Sequence, residues 1–229
     1  MKDTIIMFDM DGTLLDLAFD DLIWNQQLAI RHAENHQCSL EQSQTSLNQF
    51  YQQHKHTISW YSSDYWTATV GVDVLQLQYD FKQYIAPRPG CFELLEQLHK
   101  QGYRCWLLTN ADQAGLKLKL DQIELSPYFE VILSSEQFGY SKEHQLFWQK
   151  LQALHPFSPE QVVFIDDTAP VLDAAQQFGI QHLLSIVQPS SGRAARTATE
   201  LDYPAIQDLT ELLDYLGKIN TKVKHEQTA

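Results

Sequence analysis

Thr4-Ile5-Ile6-Met7-Phe8-Asp9-Met10-Asp11-Gly12-Thr13 is the stretch from which the rest of the chain is read. A short continuous apolar run, Thr4 to Phe8, broken by an acid predicts a strand covered on both faces. Residues two apart on an extended chain point to the same side, so Asp9 and Asp11 leave the C-terminal end of this strand toward one spot. In an open α/β sheet that edge is where ligands bind.

Four further runs read as strands: Arg104 to Thr109, Glu130 to Leu133, Val162 to Ile165 and His182 to Val187. Helical spacing fills the gaps between them, in Phe92-Leu95-Leu98, Ala114 to Ile123, Phe147-Leu151-Leu154 and Val171 to Phe178. The alternation predicts an α/β fold, a doubly wound parallel sheet. Gly102 and Gly179 stand where helices would end before the second and fifth strands, and Pro89-Gly90 where one would begin. Asp16 to Ala86 breaks the rhythm. It holds no convincing strand and reads as consecutive helices rich in Gln, His and aromatics, a helical insertion after the first strand. The last dozen residues read as a frayed polar tail, and Arg193 to Thr199 as a polar loop without an assigned role. No repeat of solenoid length is apparent.

Sixteen Lys and Arg against twenty-nine Asp and Glu give a net charge of -13, which disfavours nucleic acid and anionic lipid surfaces as partners. A small anionic substrate then needs a local positive site or a metal. With 44% hydrophobic residues the chain is too apolar for disorder. No run approaches the roughly 18 apolar residues of a membrane span, and no signal peptide is visible. Cys38, Cys91 and Cys105 form no CxxC pair, so neither a disulfide framework nor a zinc cluster is expected. The expectation is a soluble cytoplasmic protein with three ordinary thiols, its nine His scattered and solvated.

A second acidic pair, Asp166-Asp167, ends the apolar strand Val162 to Ile165. If the two strands are parallel neighbours, four carboxylates converge, and like charges a few ångströms apart must share protons or hold a cation. An all-oxygen hard site favours Mg²⁺, with other divalent cations as alternatives, over zinc. A purely structural account would have Asp167 or Thr168 cap the following helix. Thr109 and Asn110 end another strand, and Lys142 sits in the turn-like Gly139-Tyr140-Ser141-Lys142. A hydroxyl, an amide and an ammonium suit the non-bridging oxygens of a phosphoryl group. In the insertion, Trp60, Tyr61, Tyr65 and Trp66 lie at helical spacing with Asp64 among them. Aromatic faces stack on bases at roughly 1–3 kcal/mol each; the same rings also suit the packing of a helical bundle. Trp24 and Asn25 are weaker candidates.

Asp9-Met10-Asp11-Gly12-Thr13, Thr109-Asn110, Lys142 and Asp166-Asp167, in this order and at strand ends, resemble the four motifs of the haloacid-dehalogenase-like (HAD) superfamily. The resemblance spans essentially the whole chain. It implies a Rossmann-like core of residues 1–15 and 87–229, with residues 16–86 as a helical cap domain. The dehalogenases of the superfamily lack the second acid of the first motif and need no metal, so Asp11 and Asp167 point to phosphatase chemistry instead. Glu143 departs from the pattern, since many members carry Pro after the lysine.

By that resemblance Asp9 is the nucleophile, giving an aspartyl phosphate, and Asp11 protonates the leaving alkoxide and then accepts a proton from water. The metal would be held by the Asp9 carboxylate, the Asp11 backbone carbonyl and Asp167, with Asp166 a ligand directly or through water. Thr109, Asn110 and Lys142 would hold the phosphoryl oxygens. Asp9 to Asp20, Trp60-Tyr61 with Asp64-Tyr65-Trp66, Phe138-Gly139-Tyr140, and Phe164 to Asp167 with Leu172-Asp173-Ala174-Ala175 also resemble the bacterial GMP/IMP nucleotidases of the superfamily. That likeness implies a purine nucleoside monophosphate as substrate, with flavin mononucleotide or a sugar phosphate as alternatives. A phosphomutase on the same scaffold is a rival. A receiver-like switch fails on motif order, because a receiver's acidic pair ends its first strand and its phospho-accepting Asp a later one.

Overall fold

Residues 4–55 and 57–226 are described in the computed structural model, with side chains as far as Ile219. Six strands form one sheet in which every neighbouring pair is parallel: β1 (Ile5–Phe8), β2 (Arg104–Thr109), β3 (Val131–Ser134), β4 (Val162–Ile165), β5 (His182–Ile186) and β6 (Ala205–Ile206), in the order β3-β2-β1-β4-β5-β6. The first five are the runs read from sequence, within a residue at each end. The sixth is two residues long and carries no periodicity, so no pattern in the chain announces it.

Alternation along β1 sets the layers. Ile6 and Phe8 face one side, with Cys91, Leu94, Leu95 and Leu98 of α6 (Cys91–Gln101), Leu116 and Leu118 of α7 (Gln113–Gln122) and Leu212 and Leu216 of α10 (Glu211–Glu226). Ile5 and Met7 face the other, with Phe147, Trp148 and Leu151 of α8 (Gln145–Leu154) and Val171 and Leu172 of α9 (Ala169–Phe178). Both faces of the sheet are therefore covered, which is why the strands are continuous in apolar character. Gly102 and Gly179 cap α6 and α9 in the left-handed conformation.

Residues 16–86 supply α1 (Ala18–Leu22), α2 (Leu28–His36), α3 (Leu40–His54), α4 (Ser63–Val70) and α5 (Val74–Asp80), with no strand among the described residues. A π-turn, Ile23–Gln27, joins α1 to α2 without a break. The chain leaves and re-enters the core side by side. Leu15 bridges Pro87, the Asp16 N–H donates to the Ala86 carbonyl at 2.9 Å and the Arg88 N–H to that of Leu14 at 2.8 Å.

Three expectations are corrected. The C-terminal polar stretch is helical through Glu226, because Leu212 and Leu216 anchor one end of α10 and each added residue then needs only one more hydrogen bond; residues 227–229 lie outside the described ones. The histidines are not all solvated. His32 is buried, its Nδ1 3.0 Å from the Ser43 hydroxyl, and His56 lies outside the described residues. The aromatics of the insertion do not share one helix. Trp60 and Tyr61 belong to a 3₁₀ turn, Ile58–Tyr61, and extended Ser62 separates them from α4, whose first turn its hydroxyl caps. No described helix is long and apolar enough to cross a membrane.

Candidate active site at the β1/β4 switch point

The chain leaves β1 toward β2 on one side and returns to β4 on the other, so the crevice beyond these strand ends is the switch point of the sheet. The ladder runs past the strands. Asp9 donates its N–H to Ile165 at 2.9 Å and Asp166 donates to Leu184 at 3.1 Å, which fixes where both side chains start. Carboxylate oxygens of Asp9, Asp166 and Asp167, all buried, lie within 4.8 Å of one another. Lys142 joins them: its Nζ is 2.5 Å from Asp9 Oδ1, 2.7 Å from Asp166 Oδ2 and 3.1 Å from the Leu108 carbonyl, at 1% exposure.

One buried cation does not balance three buried acids. Burial pushes the Asp9 carboxyl up to about 7, against the pull of Lys142, with Asp166 and Asp11 adding to the rise. Burial likewise lifts Asp167 to about 7, helped by the Asp9 charge, and Asp166 to about 6. Burial disfavours the Lys142 ammonium, but Asp166 and Asp9 outweigh it and hold the lysine charged. Asp9 Oδ2 is buried without a hydrogen-bond partner, an oxygen open to a ligand.

Gly12 lets the loop pass this corner. Its φ is +87°, and a Cβ there would stand 2.8 Å from Asp167 Cγ, so both the conformation and the space exclude a side chain. Asp166 Oδ1 accepts the Thr168 N–H at 2.8 Å where α9 begins. The loop that carried no role in the sequence supplies Arg196, which donates to the Asp167 carbonyl at 2.6 Å and lies 3.6 Å from its carboxylate.

Asn110 is held by its Oδ1, which accepts the Lys142 N–H at 2.9 Å, while its Nδ2 donates to Glu143 at 3.0 Å. Glu143 also accepts the Tyr61 hydroxyl at 2.5 Å, so the residue that departs from the motif ties the insertion to the core. The Thr109 hydroxyl accepts the Ala111 N–H at 3.0 Å. A cavity of about 330 Å³ opens over this corner, lined by Asp9, Asp11, Thr109, Asn110, Lys142, Asp166 and Asp167 and roofed by the insertion. Trp60, Tyr61 and Trp66 reach it, as do Trp24 and Asn25 from the π-turn. Tyr65 does not: its hydroxyl pairs with His54 Nε2 at 2.6 Å and its ring lines a neighbouring cleft beside Tyr61. Asp64 is exposed and absent from the lining.

The haloacid dehalogenase-like hydrolase family matches residues 6–184, from the first strand to the fifth. The chain belongs to this family. Over 214 residues this hydrolase is 33% identical to the GMP/IMP nucleotidase YrfG of Escherichia coli (strain K12), covering 93% of the chain and 95% of the relative. It is 23% identical over 228 residues to the pyrophosphatase PpaX of Bacillus mycoides (strain KBAB4), covering 96% and 100%. The crystal structure of a HAD phosphatase from Thermococcus onnurineus superposes with a TM-score of 0.77 at 19% identity, over 93% of this chain and 98% of that one, a likeness of fold.

In this HAD hydrolase two further groups, besides Arg196, escaped the reading of the sequence. Lys119 is buried, ion-paired to Asp11 at 2.6 Å and Asp20 at 3.0 Å. Its signal was a lysine three residues after Leu116, on the inward face of α7. Asp112 accepts the Ser63 N–H at 2.5 Å and the Gly115 N–H at 2.7 Å, joining the starts of α4 and α7; nothing in the sequence pairs residues so far apart.

Proposed function

We propose that this HAD hydrolase is a divalent-cation-dependent phosphatase of purine nucleoside monophosphates, GMP or IMP, acting in the cytoplasm through an aspartyl phosphate on Asp9. The observation that carries the reading is the buried trio Asp9, Asp166 and Asp167 around Lys142, with Asp9 Oδ2 left unpartnered.

The donor set fits a hard cation. Three carboxylates crowded enough to hold protons near neutrality are relieved when a dication replaces those protons, and all the donors are oxygen. Asp9, Asp167, the Asp11 carbonyl and Asp166, directly or through water, would hold Mg²⁺, which would neutralise phosphoryl charge and polarise the phosphorus. Asp9 attacks phosphorus in line with the leaving oxygen. Lys142, Thr109 and the Asn110 amide hold the non-bridging oxygens; for this the amide turns away from Glu143. Asp11 protonates the leaving oxygen and then takes a proton from the water that hydrolyses the intermediate. Residues 16–86 act as a cap domain over a core of residues 1–15 and 87–229, excluding bulk water during transfer.

The leaving-group side favours a neutral alcohol. Among the described residues the cations lining the cavity are Lys119, Lys142 and Arg193, and each is ion-paired to aspartate. A second phosphate there would find no cation to spare, whereas a purine finds Trp24 and Trp60, the cavity-lining indoles that are only part-buried. The likeness to YrfG supports the purine and that to PpaX a phosphate-bearing leaving group, so the charge balance favours the former. A phosphate-release screen across nucleotides, sugar phosphates, flavin mononucleotide and pyrophosphate tests it. GMP and IMP should lead; pyrophosphate or a sugar phosphate in front would overturn the purine assignment, and a sugar-phosphate isomer as product without free phosphate would make the enzyme a mutase.

A further inference from the structure

The two buried lysines of the site divide the carboxylates between them. Lys142 serves Asp9 and Asp166. Lys119 serves neither. It reaches from α7 to donate to each oxygen of Asp20, on the first helix of the insertion, at 3.0 Å, and its Nζ lies 2.6 Å from Asp11 Oδ1 in an ion pair that lacks hydrogen-bond alignment, with the lysine side chain 3% exposed. It also lies 5.6 Å from the centre of the Phe19 ring. A buried ammonium is retained only where anions compensate it, and here Asp20 compensates it through both oxygens, so that Lys119 is anchored independently of Asp11.

That anchoring bears on Asp11. Asp11 lies beyond the end of β1 on a loop turned by Gly12, more open to solvent than Asp9, and without a fixed partner its carboxylate would rotate among rotamers. We propose that Lys119 is the positioning residue for Asp11: by fixing Oδ1 it aims Oδ2, which carries the proton, at the oxygen of the departing alcohol. The inference rests on the reading of Asp11 as the proton donor. In the step concerned an Asp9 oxygen bonds to phosphorus, the phosphorus–ester oxygen bond breaks and keeps its electron pair on that oxygen, and the Asp11 proton moves onto it. Asp11 is left as a carboxylate beside the Lys119 ammonium, ready to accept a proton from the hydrolytic water.

The test separates leaving groups. An alkoxide such as that of guanosine needs the proton as the bond breaks; p-nitrophenolate does not. In Lys119→Met the first-turnover release of guanosine from GMP should slow by about 100-fold. The first-turnover burst of p-nitrophenolate from its phosphate should change by no more than a few-fold. Lys119→Arg should recover much of the guanosine rate. Lys119→Met/Asp20→Asn removes one positive and one negative charge together and keeps the cluster's balance; it should repeat the selective loss, and it carries the comparison should the single variant lose its cooperative melting. Asp11→Asn, run in parallel, distinguishes the two layers of the argument. If it slows both leaving groups alike, the proton-donor reading itself fails. If it is selective for guanosine while the Lys119 variants slow both leaving groups equally, or neither, Lys119 does not position Asp11 and the proposal is overturned.

Discussion

Asp9 holds its position because the β1/β4 ladder carries on through its own N–H, and its chemistry follows from having one oxygen on Lys142 and the other on nothing. Gly12 serves the same corner by having no side chain. Gly12→Ala forces a left-handed alanine, about 1–2 kcal/mol, and drives a carbon to 2.8 Å from the Asp167 carboxyl. The expected result is a melting temperature lower by several degrees and a smaller stabilisation by Mg²⁺, read by thermal shift. Gly102→Ala is the control. It has the same kind of conformation, with φ at +77° and nothing within 4 Å, so it should lower the melting temperature without touching the response to Mg²⁺. A Gly12→Ala protein that responds to Mg²⁺ as fully as the parent would separate Gly12 from the Asp167 corner. At this scale the acids, Thr109 and Asn110 stood out because each follows an apolar run, whereas Lys142, in a polar turn, stood out through the order of the motifs. Lys119 did not, because one lysine among Leu116, Lys117 and Leu118 looks solvated until the partner Asp20 arrives from another element.

Among elements, the strands of the core were legible because burial on both faces leaves uninterrupted apolar runs, and β6 was not because two residues make no run. The insertion was legible as helix but not in its breaks. Extended Ser62 turns the expected single aromatic helix into a turn and a helix, and this decides which rings face the cavity. Trp66 is 1% exposed and is ringed by Trp24, Tyr51, His54, Trp60 and Tyr65, with its indole N–H on the Trp60 carbonyl at 2.8 Å. Trp66→Leu should therefore behave as a core truncation, losing about 2–3 kcal/mol of stability and slowing all substrates together. Trp60 is half-buried and reaches the cavity. Trp60→Leu should reduce kcat/KM for GMP by about tenfold or more, with a much smaller effect on p-nitrophenyl phosphate. Equal losses on both substrates for Trp60→Leu would assign that ring to packing alone.

For the whole molecule the governing fact is a net charge of -13 on a protein proposed to bind a dianion. Three carboxyls raised from 3.8 to about 7, 6 and 7 hold protons in the folded state after the unfolded chain has released them. Their contribution to stability is thus full below about 4 and is lost as pH rises through 6 to 7. A divalent cation held there, as proposed, would take the place of those protons and release them on binding. The rise in melting temperature on adding saturating Mg²⁺ should therefore be larger at about pH 8 than at about pH 5, and an equal or larger rise at the lower pH would place the cation elsewhere. The central claim, that Asp9 is phosphorylated by substrate in a cation-dependent step, is tested most directly by acid-quenching the enzyme during turnover of GMP with a labelled phosphate and mapping the label by peptide mass spectrometry. The account predicts label on Asp9 when Mg²⁺ is present, none after exhaustive chelation and none in Asp9→Asn, which should also have lost turnover. Phosphate release at the parent's rate by Asp9→Asn, or with the cation fully chelated, would contradict it.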